Sequence, residues 1–275
     1  MLRQQWNIKT DKNMTMQRVF KIVLILFTAL ALPFSVNAQK QGKPSAAKSF
    51  KVKVVETFPH DTQVYTQGLF FYEGQLYESS GQYGQSFFRM ADLKSGTTLR
   101  SFALNKQYFA EGAVALGGKL FLLTWLEKTV FVYDLKSFRQ LGAMHNPREG
   151  WGLTTNGTEL IMSDGSEIIY FQDPSNFQTK RTITVKLNGS PLKQLNELEY
   201  INGEIWANVY MTDMIVIIDP ATGIVKSTVD CRNILPQSLR TSRTDVLNGI
   251  AYNPADKKIY ITGKYWPKLF RIELK

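Results

Sequence analysis

YFAEGAVALGGKLFLLTW, residues 108–125, holds two short apolar runs, 113–116 and 120–123, on either side of a Gly-Gly pair. Apolar runs of this length bounded by glycine suit buried strands, and Gly117-Gly118 suits a two-residue hairpin turn. The lead-in carries a carboxylate, Glu111, and the second run stops at Thr124-Trp125. One hairpin cannot bury its own apolar faces, so the chain should hold more of them.

It holds five. The copies are QGLFFYEGQLYESSG (67–81), EGAVALGGKLFLLTW (111–125), WGLTTNGTELIMSDG (151–165), NELEYINGEIWANVY (196–210) and NGIAYNPADKKIYITGK (248–264), the last with a turn two residues longer. After each of the first four comes another apolar strand ending near Asp92, Asp134, Asp173 or Asp219, then a turn and a fourth strand. Aspartate at a strand exit is turn chemistry. Four strands per 40–50 residues is the pattern of a β-propeller blade. The fifth unit has only three strands, the third at 269–274. FKVKVVET (50–57) alternates as a strand at the other end of the chain and can supply the missing one. The expected architecture is all-β: a five-bladed β-propeller closed by the N-terminal strand, which leaves no open edge.

The chain has 275 residues, 44% of them hydrophobic, enough for a full core. Arg18 and Lys21 precede an apolar run at 22–32, and Val36-Asn37-Ala38 offers small residues for a signal-peptidase cut. The run is shorter than the roughly 20 residues that span a bilayer. Residues 1–38 are therefore expected to be a cleaved signal, with Met14 or Met16 as alternative starts, 39–49 a flexible leader, and 50–275 the folded domain. Export places the protein in the periplasm or outside the cell. Losing the signal removes five basic residues and one acid, so the net charge falls from +10 to +6. That is a solvated basic surface rather than a nucleic-acid footprint. Cys231 is the only cysteine, so there is no internal disulfide. His60 and His145 have no zinc-site spacing, and neither a phosphate loop nor a nucleophile elbow is present. Ser163-Asp164 lacks a nearby base.

In a propeller, equivalent repeat positions come to one height about the axis. The residue before the innermost strand is Gln67, Glu111, Trp151, Asn196 or Asn248, followed by Gly in four copies and Glu197 in the fourth. The far ends of the second strands give Gly81, Trp125, Gly165, Tyr210 and Lys264. Bland roles exist for several of these. Trp125 and Trp151 could pack between blades, Trp206 could be core, Lys264 an exposed turn residue, and Asn196 and Asn248 strand caps. A carboxylate at the mouth of an apolar strand is costly unless paired or used, which singles out Glu111.

YTQGL (65–69), FAEG (109–112), LLTW (122–125), GWGLT (150–154), LNELEY (195–200), WANVY (206–210), LNGIAY (247–252) and TGKYWP (262–267) together resemble the glutaminyl-peptide cyclotransferases of the plant and bacterial type. The resemblance covers about residues 55–275. It implies a five-bladed propeller and an acyltransferase that converts N-terminal glutaminyl residues of peptides and proteins to pyroglutamyl. Ammonia is released, and no metal or other cofactor is required. It implies Glu111, Lys264 and Asn196 as catalytic groups and Gln67, Tyr65, Phe109, Trp125, Trp151 and Trp206 as the substrate pocket. Tyr210 stands where relatives often carry Trp. The partners implied are Gln-initiated peptides, without nucleic acid or stable membrane association, met by a monomer.

The chemistry suits these groups. The α-amine must lose a proton to attack its own γ-carboxamide, and ammonia must gain one to leave. A carboxylate can serve both steps, and Glu111 is the candidate. Lys264 or Asn196 can face the developing oxyanion. Indoles can enforce the curl of the side chain and exclude water. Two other readings stay open: a Ca²⁺-dependent lactonase-like propeller using Glu111, Asn196, Asn208 and Asn248, and a non-enzymatic propeller that binds peptides or glycans.

Overall fold

The computed structural model describes residues 46–275; the expected signal and cut site, 1–39, and the leader up to 45 lie outside the described residues. The first strand, β1, spans Lys48–Pro59. Four-strand antiparallel groups follow in chain order. The first comprises β2 (Thr66–Tyr72), β3 (Gln75–Ser80), β4 (Phe87–Ala91) and β5 (Thr98–Ala103). The second comprises β6 (Ala110–Leu116), β7 (Lys119–Thr124), β8 (Thr129–Asp134) and β9 (Gln140–His145). The third comprises β10 (Leu153–Thr155), β11 (Leu160–Ser163), β12 (Ile168–Gln172) and β13 (Thr179–Thr184). A short hairpin, β14 (Lys186–Leu187) and β15 (Ser190–Pro191), precedes the fourth group: β16 (Leu195–Ile201), β17 (Glu204–Val209), β18 (Met214–Ile218) and β19 (Val225–Asp230). Last come β20 (Leu247–Asn253), β21 (Lys258–Gly263) and β22 (Lys268–Leu274). The fold is all-β, of blade-like four-strand groups.

The missing partner of β22 is β1, paired antiparallel from Val52↔Leu274 to Pro59↔Lys268. The strand starts at Lys48, two residues inside the stretch expected to be leader, and its first four residues pair in parallel with Ser227–Asp230 of β19. So β1 serves two groups and merges them into one eight-stranded sheet.

The expected Gly117-Gly118 turn is present, both glycines lying at positive φ between the paired Leu116 and Lys119. Each strand-exit aspartate closes its turn: the Oδ1 atoms of Asp92, Asp134, Asp173 and Asp219 accept the backbone N–H of Ser95, Ser137, Ser175 and Ala221.

Strands β6 and β7 are near-continuous apolar runs because both of their faces are buried. Period-two geometry deals their side chains to two cores. Ala113, Ala115, Leu120 and Leu122 join Phe70, Tyr77 and Phe88 of the first group. Val114, Phe121 and Leu123 join Leu153, Leu160 and Met162 of the third. Further clusters lie between the third and fourth groups and between the fourth and last. Phe58, Leu69, Phe71, Ala251 and Tyr260 pack the last group against the first. Each fully buried Leu or Phe contributes roughly 1.5–3 kcal/mol relative to exposure.

Candidate active site

The inner hairpins share an irregularity. The pairing of β2 with β3, β6 with β7, β16 with β17 and β20 with β21 shifts register at 66/68, 110/113, 195/198 and 247/250. A bulge re-aims a side chain out of the alternating pattern. The residues at these bulges, Gln67, Glu111, Asn196 and Asn248, are repeat-equivalent, and Trp151 stands just before β10 in the third copy. The glycine that follows brings neighbouring backbones together. A Cβ on Gly68 would lie 2.5 Å from Ala113 N, one on Gly112 2.5 Å from Leu153 N, and one on Gly152 2.0 Å from Asn196 O. In the fourth copy Glu197 stands instead, and its carboxylate accepts Leu69 N–H at 3.2 Å and Ile250 N–H at 2.8 Å.

Glu111, Lys264, Asn196, Gln67, Tyr65, Phe109, Trp125 and Trp151 line one cavity of about 220 Å³, together with Gln82 and Tyr210. Glu111 is 5% exposed and accepts a hydrogen bond from Gln67 Nε2 at 3.1 Å. Gln67 is in turn steadied by Asn248, whose Nδ2 donates to Thr66 O at 2.9 Å and to Gln67 Oε1 at 3.4 Å. Burial pushes the Glu111 carboxyl well above the usual carboxylate range. The Lys264 ammonium pulls against that, and the Glu149 and Glu127 carboxylates add to it. Lys264 is 3% exposed, and burial lowers its pKa against the opposing pull of Glu111 and Asp245. An acid and a base thus face one cavity with their affinities for protons drawn toward each other, the pattern of an acid–base site. The buried Asn196 Oδ1 has no partner, so the amide lining the cavity retains an unmet acceptor.

The wall is aromatic and nearly continuous. Tyr65 meets Phe109 edge-on at 6.2 Å between centroids, Phe109 meets Trp125 at 5.6 Å, and Trp151 meets Tyr210 at 5.6 Å. Two charged side chains bridge the remaining gaps. Glu149 Oε2 accepts both indole N–H groups, from Trp125 at 2.9 Å and Trp151 at 3.0 Å. Lys264 Nζ lies 4.5 Å from the Tyr65 ring centroid and 5.2 Å from that of Tyr210, within cation–π reach. The two glycines among the second-strand ends make room for this wall. A Cβ on Gly81 would sit 2.2 Å from Phe109 Cε1, and one on Gly165 2.7 Å from Trp151 Cζ2.

Trp206 is a correction. It belongs to the core between the fourth and last groups, among Ile201, Ile215, Ile217 and Val229, and does not line the cavity. It lies mid-strand in β17, roughly 13 Å along the chain from the end where Tyr210 sits, at about 3.3 Å per residue. Tyr210 is the aromatic that the fourth group presents. Asn208, weighed as a metal ligand, uses Oδ1 to accept the Gly249 N–H at 2.9 Å. Ser163 holds backbone, donating to Asn196 O and accepting from Gly152 N. His60 is tied to Glu78 and to Trp266 O, away from the site.

Sequence reasoning missed Gln82, Tyr83, Glu127 and Glu149. Gln82 takes φ 120°, a strained value for a side chain other than glycine, in the loop just past the aligned repeat. Tyr83 packs on Phe109 and Trp125 and donates its hydroxyl to Glu127 at 2.7 Å. Glu149 sits two residues before Trp151. A carboxylate at the mouth of an innermost strand, the signal that singled out Glu111, was there to be read.

The sequence matches the family model described as glutamine cyclotransferase over residues 25–274. It is 38% identical over 251 residues to a glutaminyl-peptide cyclotransferase of Arabidopsis thaliana, covering 89% of this chain and 78% of that protein. The crystal structure of Myxococcus xanthus glutaminyl cyclase is similar at a TM-score of 0.77 and 33% identity, covering 83% of this chain and 98% of that one.

Proposed function

The chain belongs to the glutamine cyclotransferase family, and we propose that the aromatic cup around Glu111 is where it closes an N-terminal glutaminyl residue to pyroglutamyl. It is a glutaminyl-peptide cyclotransferase, an acyltransferase that acts on peptides beginning with Gln.

In the reaction the α-nitrogen bonds to the γ-carboxamide carbon, the bond from that carbon to its own nitrogen breaks, and ammonia leaves. Glu111 takes the proton from the attacking amine and delivers it to the departing nitrogen. Lys264 donates to the oxygen on which negative charge develops, a contribution of roughly 3 kcal/mol for such a preorganised donor. Asn196 was expected as another such donor; its unmet Oδ1 suits it equally to receive an N–H of the substrate. The rings of Phe109, Trp125, Trp151 and Tyr210 hold the side chain curled on its own amine, and that proximity supplies much of the rate. None of these steps calls on a metal. One observation carries this assignment: a buried carboxyl, Glu111, and a buried ammonium, Lys264, line the same aromatic-walled cavity of about 220 Å³.

The domain assigned to this work is residues 50–275, a five-bladed propeller whose last blade takes β1 as its outer strand. Support comes from the pairing of β1 with β22 and from the core that packs the last group on the first. Residues 1–38 act as an export signal, and the mature protein works as a periplasmic or secreted monomer. Among the described residues no helix is long and apolar enough to cross a membrane.

The test is ammonia release by purified protein from a Gln-initiated dipeptide and from its N-acetylated form, each with and without chelator. Turnover of the free-amine substrate alone, unaffected by chelator, is expected. Turnover of the blocked peptide, or loss of activity with chelator, would contradict the mechanism.

A further inference from the structure

The two indoles of the cup come from different four-strand groups. Trp125 follows β7 and Trp151 precedes β10, and both are only partly buried. Packing alone therefore encloses neither ring completely. Their N–H groups converge on a single oxygen, Glu149 Oε2. Two charge-assisted bonds to one acceptor fix the spacing and tilt of both rings together, and such bonds are roughly twice as strong as neutral ones. The backbone places this carboxylate. Gly150 donates to Trp125 O at 3.1 Å, and a Cβ there would meet Thr124 O at 2.6 Å, so residues 149–151 lie flush on the end of β7.

We propose that Glu149 is a positioning residue for cyclisation, a tether that joins Trp125 and Trp151 into one rigid jaw against which the glutaminyl side chain curls. The proposal rests on the reaction assigned above. Curling is a near-attack requirement, so a loosened jaw acts on kcat at least as much as on KM. Glu149, itself exposed, also adds negative charge to the surroundings of Glu111, behind burial and Lys264 in effect. Lys264 lowers the Glu111 pKa, while Glu149 and Glu127 raise it. The phenols of Tyr65 and Tyr210 line the same cavity, and that of Tyr83 stands behind its Phe109 and Trp125 walls.

The test compares wild type, Glu149→Ala and Glu149→Gln by kcat, KM, pH profile and near-UV circular dichroism of the indoles. Glu149→Ala should lose about 10- to 100-fold in kcat, the scale of an ångström-level misplacement, and should lose part of the indole signal. Glu149→Gln keeps an acceptor oxygen and should recover most of both, with its acid limb moved to lower pH because a neighbouring negative charge is gone. Wild-type kcat in Glu149→Ala would overturn the proposal. So would a Glu149→Gln variant as impaired as the alanine one, since that would make charge and not tethering the essential property. If wild type released no ammonia, the reaction itself would be refuted. The indole spectra would still decide the tether, an unchanged signal in folded Glu149→Ala counting against it.

Discussion

In the proposed mechanism Lys264 has two tasks: it is to offer a donor to the oxyanion, and its charge holds the Glu111 carboxyl lower than burial alone would. Replacing it with methionine separates them. Loss of the donor should lower kcat by about 10²–10³-fold. Loss of the cation leaves Glu111 further above its ordinary range. If the ionised carboxylate takes the amine proton, the acid limb of kcat should then move to higher pH. A Lys264→Met profile with the wild-type acid limb would mean that Glu111 is not the group titrating there. At this scale the sequence was most informative where chemistry was out of place, as with a carboxylate inside an apolar run. It was least informative among aromatics. Trp206 lies inside β17 and Tyr210 just past its end, and only that difference in position decides which of the two lines the cavity. Gln82 enters through a strained loop conformation that no pattern announces.

The element that makes the site is the bulged inner strand with a glycine behind the bulge. In four of the five groups a bulge turns one side chain out of the alternation, and in every group but the fourth a glycine at the equivalent place lets the next strand approach. Gly152 is the tightest case, with the carbonyl of Asn196 where a Cβ would stand. Backbone cannot step aside there, so Gly152→Ala should cost about 1–3 kcal/mol or more. For a domain of this size each kcal/mol is roughly 2–4 °C in Tm. Activity should fall as well, because Trp151 and Asn196 flank the displaced segment. An unchanged Tm on thermal unfolding would contradict the close approach. Hairpins, turns and repeat length were legible because Gly-Gly, Asn-Gly and Glu-Gly pairs punctuate paired apolar runs. The double duty of β1 was not. Its polar-alternating sequence says strand, but which edges it meets depends on where the fourth and last groups stand.

Across the whole molecule, a buried charged network ties the chain's first connection to its last. Glu78 accepts from His60 Nε2 at 2.9 Å, Thr66 Oγ1 at 2.6 Å and Arg89 Nη2 at 2.7 Å, while His60 Nδ1 lies 2.7 Å from Trp266 O. Burial pushes the Glu78 carboxyl up, but His60 and Arg89 outweigh it and hold its pKa down at about 2. A folded pKa below the unfolded value means that the stabilisation is complete above pH 4.5 and lost as pH falls toward 2. The loss amounts to about 3 kcal/mol by linkage. Urea unfolding of wild type should weaken across that window, and Glu78→Gln should show a correspondingly smaller dependence. Equal pH dependence in both would contradict the assignment. Glu199 runs the other way: burial raises it to about 8, so its contribution is fully present below pH 4.5 and lost as pH rises through about 8. None of these internal carboxylates was identifiable as such from sequence, where they read as ordinary strand residues. Burial on both faces of every inner strand is a property of the assembled groups.

Catalysis by a single carboxyl drawn from one group and served by residues from the others is most directly tested by single-turnover ammonia release with Glu111→Gln. The variant keeps the shape of the side chain and the Gln67 contact. A folded Glu111→Gln protein, with wild-type circular dichroism, should release ammonia from a Gln-initiated dipeptide about 10²–10⁴-fold more slowly than wild type. Release at the wild-type rate would contradict the account.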